Sequence, residues 1–379
     1  MSIENLKYWL ALSRAPQIGA VTFGQLLKRF GSPEMVFLAT QRDWLNAGLK
    51  NKTVDYLQHP DWDAIEADLN WSQQTNNHLL TLDHPQYPAY LREVHGAPPI
   101  LYAHGQLDIL QIPQVAIVGT RHPSQQGYEI AKEFASHIAQ AGFVITSGLA
   151  KGIDEAAHWG AVAVNGKTIA VTGTGLDRVY PAQNYQLAHT IAQTGLLLSE
   201  FPLKTPPHSE NFPRRNRIIS SITLGTLVIE ANVRSGSLIT ARLAAEQGRE
   251  VFAIPGSIQN KLARGCHALI KEGAKLVESA NDVIEELLIH IPVDGINSTP
   301  LANKAFHEIP ATATTSSNKL DELDPQYKTL YDCMGFNPIS IDDLVDVSQL
   351  SVEEVSSMLL ILELQGLVSS QAGGLYVRN

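Results

Sequence analysis

Cysteine is nearly absent from this 379-residue chain. Cys266 and Cys333 are the only two, with no Cys-x-x-Cys and no Cys/His cluster, which argues against a zinc site or a disulfide framework. A reduced, cytoplasmic setting is expected. Positive charge is short as well: 28 Lys and Arg stand against 38 Asp and Glu, a formal charge of -10, the opposite of a general coater of polyanions. Any nucleic-acid site must therefore be local. No uninterrupted apolar run approaches the roughly 18 residues of a membrane span, and Met1 to Lys7 lacks a basic stretch followed by an apolar one. The expectation is an unexported, soluble protein with no membrane partner. Hydrophobic residues still make up 44%, enough to give two or three domains of roughly 150 residues a core each.

From Ile112 to Leu288 the runs VAIVG, FVITSG, IAVTG, LLLSE, TLVIE and VFAIPG alternate with amphipathic helical stretches. That alternation predicts an α/β domain of βαβ units around a parallel sheet, spanning residues 106–289. Ile130, Phe134 and Ile138 mark one helical face, Gly142 closes that helix, and Ser237 caps another. Residues 1–105 read as a separate helical domain carrying Trp9, Trp44, Trp62 and Trp71. Within it Pro16-Gln-Ile-Gly19, with Leu26-Leu27 and Phe30-Gly31-Ser32, resembles a helix-hairpin-helix whose glycine turn lets N–H groups approach a phosphate. A plain αα-turn accounts for the same residues equally well. Residues 290–319, rich in Ser, Thr, Ala, Asn and Pro, read as a flexible linker. Residues 320–379 give three helices and a β-hairpin, the order of a winged helix. This last module holds ten acids against Lys328 and Arg378, and its SVEEVSSMLLILELQG helix has no Arg or Lys. It is unsuited to a duplex groove and better suited to a protein contact.

In a parallel sheet the loops that follow the strands emerge at one crest, where ligands bind. Here those loops carry Arg121, Lys151, Arg178, Lys204, Arg214, Arg215, Arg217, Arg234, Lys261 and Arg264, interleaved with glycines and small hydroxyls. No Gly-x-Gly-x-x-Gly follows the first strand and no Walker lysine is present, so neither hydride transfer nor ATP hydrolysis is indicated. No catalytic triad, carboxylate pair or metal motif appears, so the expectation is binding rather than catalysis, with no cofactor and no metal. Asn211 to Ser220, which packs three arginines beside Phe212, has the chemistry of unpaired bases: the ring stacks and the guanidinium groups take phosphates. The expected contacts are Gly119, Thr120, Arg121, Ser147, Gly148, Lys151, Gly175, Phe212, Arg214, Arg215, Asn216, Arg217, Ser235, Gly236 and Ser237. The competing structural role for Arg121 is a salt bridge to Glu200 or Glu230, and a loop-anchoring role is open to Asn216 or one of the arginines. An enzymatic alternative is a phosphoribohydrolase, because Leu224 to Glu230 resembles part of the Gly-Gly-x-Gly-Thr-x-x-Glu motif, although Thr223 and Leu224 stand where a glycine pair belongs.

The segments VAIVGTRHPSQQG, ITSGLAKGIDEAAH, AVTGTGLDRVYPAQN, ENFPRRNRIIS, GTLVIEANVRSGSLITARLAAEQGREVFAIPGS and GCHALIKEGAKLV, in that order, resemble the DNA-processing protein A (DprA, Smf) family over nearly the whole chain. The resemblance implies an N-terminal sterile-alpha-motif-like domain, an extended Rossmann domain that binds single-stranded DNA and forms a homodimer, and a C-terminal winged helix. It implies a role in natural transformation, escorting incoming single strands and loading the RecA recombinase onto them. The family's Gly-Ser/Thr-Arg motif falls on Gly119 to Arg121, and its Phe-Pro-x-Arg-Asn-Arg motif on Phe212 to Arg217. Its dimer and recombinase surface falls on His267, Leu269, Ile270, Lys271, Leu276 and Val277. Some members carry a lysine after Tyr-Pro-x-x-Asn, where this chain has Tyr185.

Overall fold

Alternation along the central strands sorts their side chains into two cores. In the strand Gln114–Gly119, Val115 and Ile117 face one layer of helices while Ala116 and Val118 face the other. The computed structural model describes residues 3–291, 325–334, 339–371 and 374–378, so the expected linker lies outside the described residues except for His290 and Ile291. Two compact units divide the chain, residues 1–304 and 305–379.

The first unit begins with six helices: α1 (Ile3–Arg14), α2 (Ala20–Phe30), α3 (Pro33–Leu38), α4 (Gln41–Asn46), α5 (Asn51–Gln58) and α6 (Trp62–Ser72). Ser32, Thr40 and Asp61 cap three of them by accepting backbone N–H groups. Trp9, Phe23, Leu26, Trp44 and Ile65 form their shared core. In the α1–α2 turn Gly19 sits at an ordinary φ of -88° and the positive φ falls on Gln17.

After these come β1 (Asn77–Thr81), α7 (Ala89–Glu93), β2 (Ile100–Gly105), β3 (Gln114–Gly119), α8 (Gln125–Gln140), β4 (Val144–Ser147), α9 (Ile153–Ala163) and β5 (Thr168–Val171). The unit continues with α10 (Tyr185–Thr194), β6 (Leu196–Ser199), α11 (Asn211–Ile222), β7 (Gly225–Ile229), α12 (Gly236–Glu246), β8 (Glu250–Ala253), α13 (Arg264–Lys271), β9 (Lys275–Leu276) and α14 (Ala280–Leu288). One nine-stranded sheet runs β1-β2-β6-β5-β4-β3-β7-β8-β9. The pairs from β6 to β9 are parallel, as the sequence predicts, while β1–β2 and β2–β6 are antiparallel. The expectation of an all-helical segment up to residue 105 is corrected here. Leu80, Leu101 and Ala103 lie in the same core as Ala116 and Val118 of β3, so burial draws β1 and β2 into the sheet and the run of six helices ends at Ser72.

The chain enters the parallel part at central β3, winds outward through β4, β5 and β6, then crosses back to β7. The crevice where the winding reverses is bordered by the C-terminal ends of β3, β4 and β7, the place where open α/β sheets take ligands.

The second unit has the predicted winged-helix order: α15 (Pro325–Cys333), β10 (Ile339–Ser340), α16 (Ile341–Ser348), α17 (Val352–Leu364), β11 (Val368–Gln371) and β12 (Leu375–Arg378), with sheet order β10-β12-β11. Leu330, Leu344, Val355, Leu359 and Leu362 fill its core. Ser340 and Ser351 cap α16 and α17.

Candidate functional site

The arginine-rich segment is helix rather than loop, and this decides where each arginine points. At about 100° per residue, positions three and four apart share a face. Phe212, Arg215, Asn216 and Ile219 of α11 therefore line the crest cleft, while Arg214 and Arg217 turn towards Glu200. The Glu200 side chain, 4% exposed, holds Arg217 at 2.5 Å and lies 3.6 Å from Arg214. Arg217 also donates to Gly96 O at 2.8 Å, and Arg214 lies over the Phe201 ring at 5.1 Å. The expectation that all three arginines face one groove fails for this reason.

Arg215 is on the cleft side yet buried, 4% exposed. Its Nη1 donates to Gly148 O and to Val171 O (2.6 Å), and its Nε donates to the Asn216 side chain (3.0 Å). Burial brings the guanidinium down to about 10, against the pull of Asp154, and it keeps its charge at neutral pH. Burial likewise raises the Asp154 carboxyl, which Arg215 and the N–H groups of Ala150 and Gly148 draw back down. Arg215 thus ties the ends of β4 and β5 together from beneath the cleft floor.

Several crest glycines answer to packing rather than to a ligand. A Cβ on Gly119 would fall 2.0 Å from Ile229 O, one on Gly148 2.2 Å from Arg215 Nη1, and one on Gly175 2.6 Å from Asp177 Oδ1. Gly236 differs, with nothing within 4 Å. Ser147 is fully buried and donates to Ile117 O, while Thr120 N donates to Glu230 O and Thr120 O accepts from Ile153 N. Ser147, Gly175, Thr120, Arg215 and Arg217 are therefore committed to holding the loops. Glu230 is committed too: its carboxylate accepts the Ser124 N–H at 2.8 Å and the Ser124 hydroxyl at 2.5 Å at the start of α8. The acid on which the phosphoribohydrolase alternative rests is a helix anchor.

What remains open is a cleft of about 540 Å³, with a side pocket of about 90 Å³. Arg121 stands over the Phe212 ring at 5.4 Å, and the Tyr180 ring, 44% exposed, lies 5.6 Å from that of Phe212. Lys151 lines the side pocket with Arg121. Among the described residues neither cation is paired with a carboxylate. The opposite wall is the N-terminus of α12, a positive dipole end, where the Ser235 N–H donates to Asn232 O (2.8 Å) and the Ser237 N–H to the capping Ser235 hydroxyl (3.4 Å), which leaves the Gly236 N–H as the uncapped donor. Asn216 reaches that wall by donating to Gly236 O at 3.4 Å. Tyr180 was not among the expected contacts; its place before Pro181 in the same crest loop was the available signal. Arg178, by contrast, pairs with Asp177.

On the far side of the sheet's β9 end, the residues expected to form a dimer surface divide. Leu269 and Val277 are buried, 4% and 1% exposed, and belong to the core. Leu276, on edge strand β9, is 50% exposed, Lys271 is exposed and Ile270 is half-buried. His267 Nε2 lies 3.0 Å from Gly256 O. No described helix is long and apolar enough to cross a membrane.

Comparison with known proteins gives the same outline. The family described as DNA recombination-mediator protein A matches residues 78–288, a DprA-like N-terminal HHH domain matches 4–39, and a DprA winged helix domain matches 314–374. Protein Smf of Synechocystis is 36% identical over the full length of both chains. The X-ray structure of DprA from Streptococcus pneumoniae superposes with a TM-score of 0.67 at 38% identity, covering 74% of this chain and 97% of that one. DprA from Helicobacter pylori, solved for its single-stranded DNA binding mode, gives 0.52 at 30% identity, covering 56% and 97%. With its central domain, both flanking modules and a full-length relative all matched, the chain belongs to the DNA-processing protein A (DprA/Smf) family.

Proposed function

We propose that this protein binds single-stranded DNA in the crest cleft, as a homodimer, and passes that strand to the RecA recombinase during natural transformation. One observation carries the DNA reading: an unpaired arginine seated over an aromatic ring, with a second exposed ring alongside and a helix N-terminus opposite. Unpaired bases offer π faces to Phe212 and Tyr180, and their phosphates suit Arg121, Lys151 and the positive end of α12 at Gly236. A duplex keeps those faces inside its stack. The binding mode studied in the Helicobacter pylori relative supports the same ligand. Ile270, Lys271 and Leu276 are the part of the expected dimer and recombinase surface that is open to a partner. The acidic winged helix then serves a protein contact.

The test is fluorescence anisotropy with an oligothymidylate and a duplex across salt concentrations. Two unpaired cations predict a log–log salt slope of about -1.4 per protomer on single strands. Arg121→Glu should weaken binding with the melting temperature unchanged. Tighter duplex binding, or an absent salt slope, would refute the proposal. Leu276→Asp should turn the dimer into a monomer in light scattering and lower affinity for long strands through lost avidity; an unchanged mass would remove the dimer assignment.

A further inference from the structure

The solvent face of α10 carries an aromatic platform that lies outside the cleft. Tyr185 opens this helix, is 65% exposed, and lies nearly parallel to the His189 ring one turn later, at 6.3 Å and 8°. Leu187, Ala188 and Ile191 take the opposite face into the core. The tyrosine thus lies beside a parallel, laterally offset ring and leaves most of its surface open. Its position is set from beneath: Asn184, 2% exposed, donates to Leu149 O at 2.9 Å and to Ala150 O at 3.3 Å. Ala150 is itself part of the cleft wall. The platform therefore begins one residue from a side chain that grips that wall, next to Lys151.

The surroundings suit a polyanion. In a chain with 38 acids, no Asp or Glu occurs from Arg178 to Ser199, and the exposed positions of α10 are Tyr185, Gln186, His189, Gln193 and Thr194. A flat, largely exposed ring, free of nearby carboxylates in its own segment, matches a ligand with a planar face and a negative backbone. We infer that Tyr185 stacks a base of the strand as it leaves the cleft, extending the site over the first turn of α10 by a nucleotide or two. This rests on the reading of the cleft as a single-strand site.

The experiment uses the full-length protein with a ladder of oligothymidylates, from the shortest that binds up to an eicosamer, with Tyr185→Ala, Tyr185→Trp and Arg121→Glu. Stacking of one base predicts that Tyr185→Ala matches the wild type on the shortest oligomer and loses about fivefold to a hundredfold on longer ones. Tyr185→Trp restores the loss. A 5-iodouracil placed near the end of a long oligomer should photo-crosslink to the peptide containing Tyr185. If Tyr185→Ala equals the wild type along the whole ladder while Arg121→Glu weakens binding, this inference falls and the cleft reading stands. If Arg121→Glu leaves binding intact, the cleft reading falls and this inference with it. Tyr185 packs on an exposed histidine and not in the core, so its loss leaves the fold in place.

Discussion

Replacing Arg215 with alanine separates two readings of the same motif. If the side chain touched DNA, Arg215→Ala would behave like Arg121→Glu, with affinity reduced and stability kept. The structure predicts the reverse order of effects. The guanidinium is 4% exposed and caps Gly148 O and Val171 O, with Asp154 as its charge partner. Its removal leaves two buried carbonyls without that donor and one buried carboxylate without its counter-charge, and breaking a buried pair in this way costs about 3–5 kcal/mol. At about 2–4 °C per kcal/mol for a domain of this class, the melting temperature should fall by roughly 6–20 °C. Arg215→Lys should recover only part of this, because a point charge cannot serve two carbonyls at once. The assay is thermal unfolding by circular dichroism, paired with anisotropy at a temperature where both proteins are folded. A melting temperature within 2 °C of wild type, together with lost binding, would refute the reasoning and make Arg215 a DNA contact.

Two glycines should part company in the same assays. Gly119→Ala forces a Cβ against Ile229 O and Ile153, so β3 and β7 must separate and stability should drop by about 1–3 kcal/mol, whereas Gly236→Ala meets open space and should lower DNA affinity without lowering the melting temperature. Acid sensitivity should trace in part to His158. Its Nδ1 donates to the Thr168 hydroxyl, which is itself committed to Ile145 O, and burial brings the ring down to about 3 from an unfolded value near 6.5. The folded state then binds fewer protons than the unfolded one between those values, so this contribution is complete above about pH 6.5 and is lost as pH falls, by about 1.4 kcal/mol per unit. His158→Gln should flatten the acid limb of stability against pH by about one proton; an unchanged slope would show that other groups carry it.

Much of this molecule was legible in its residues. The unbroken apolar run of Val115, Ala116, Ile117 and Val118 announces a strand buried on both faces and Gly142 announces a helix end, because these signals are local, whereas the cap expected of Ser237 falls on Ser235, whose hydroxyl accepts the Ser237 N–H two residues on. The crest was legible too, since a parallel sheet brings every strand-to-helix loop to one edge whatever the side chains are. The strands at 77–81 and 100–105 were not, because they are short and buried by helices far away in sequence.

The sequence by itself determined the α/β architecture, the winged helix, the acidic balance and the neighbourhood of glycines and cations at one end of the sheet. Tertiary structure alone decided which of those cations are free. A guanidinium reaches a ligand, a carbonyl or a carboxylate according to the face of the helix that bears it and to what lies opposite. Glu200, the carbonyls of Gly148 and Val171, and the coiling of α11 divide Arg121 from Arg215 and Arg217, and the fold brings these groups together from across the chain.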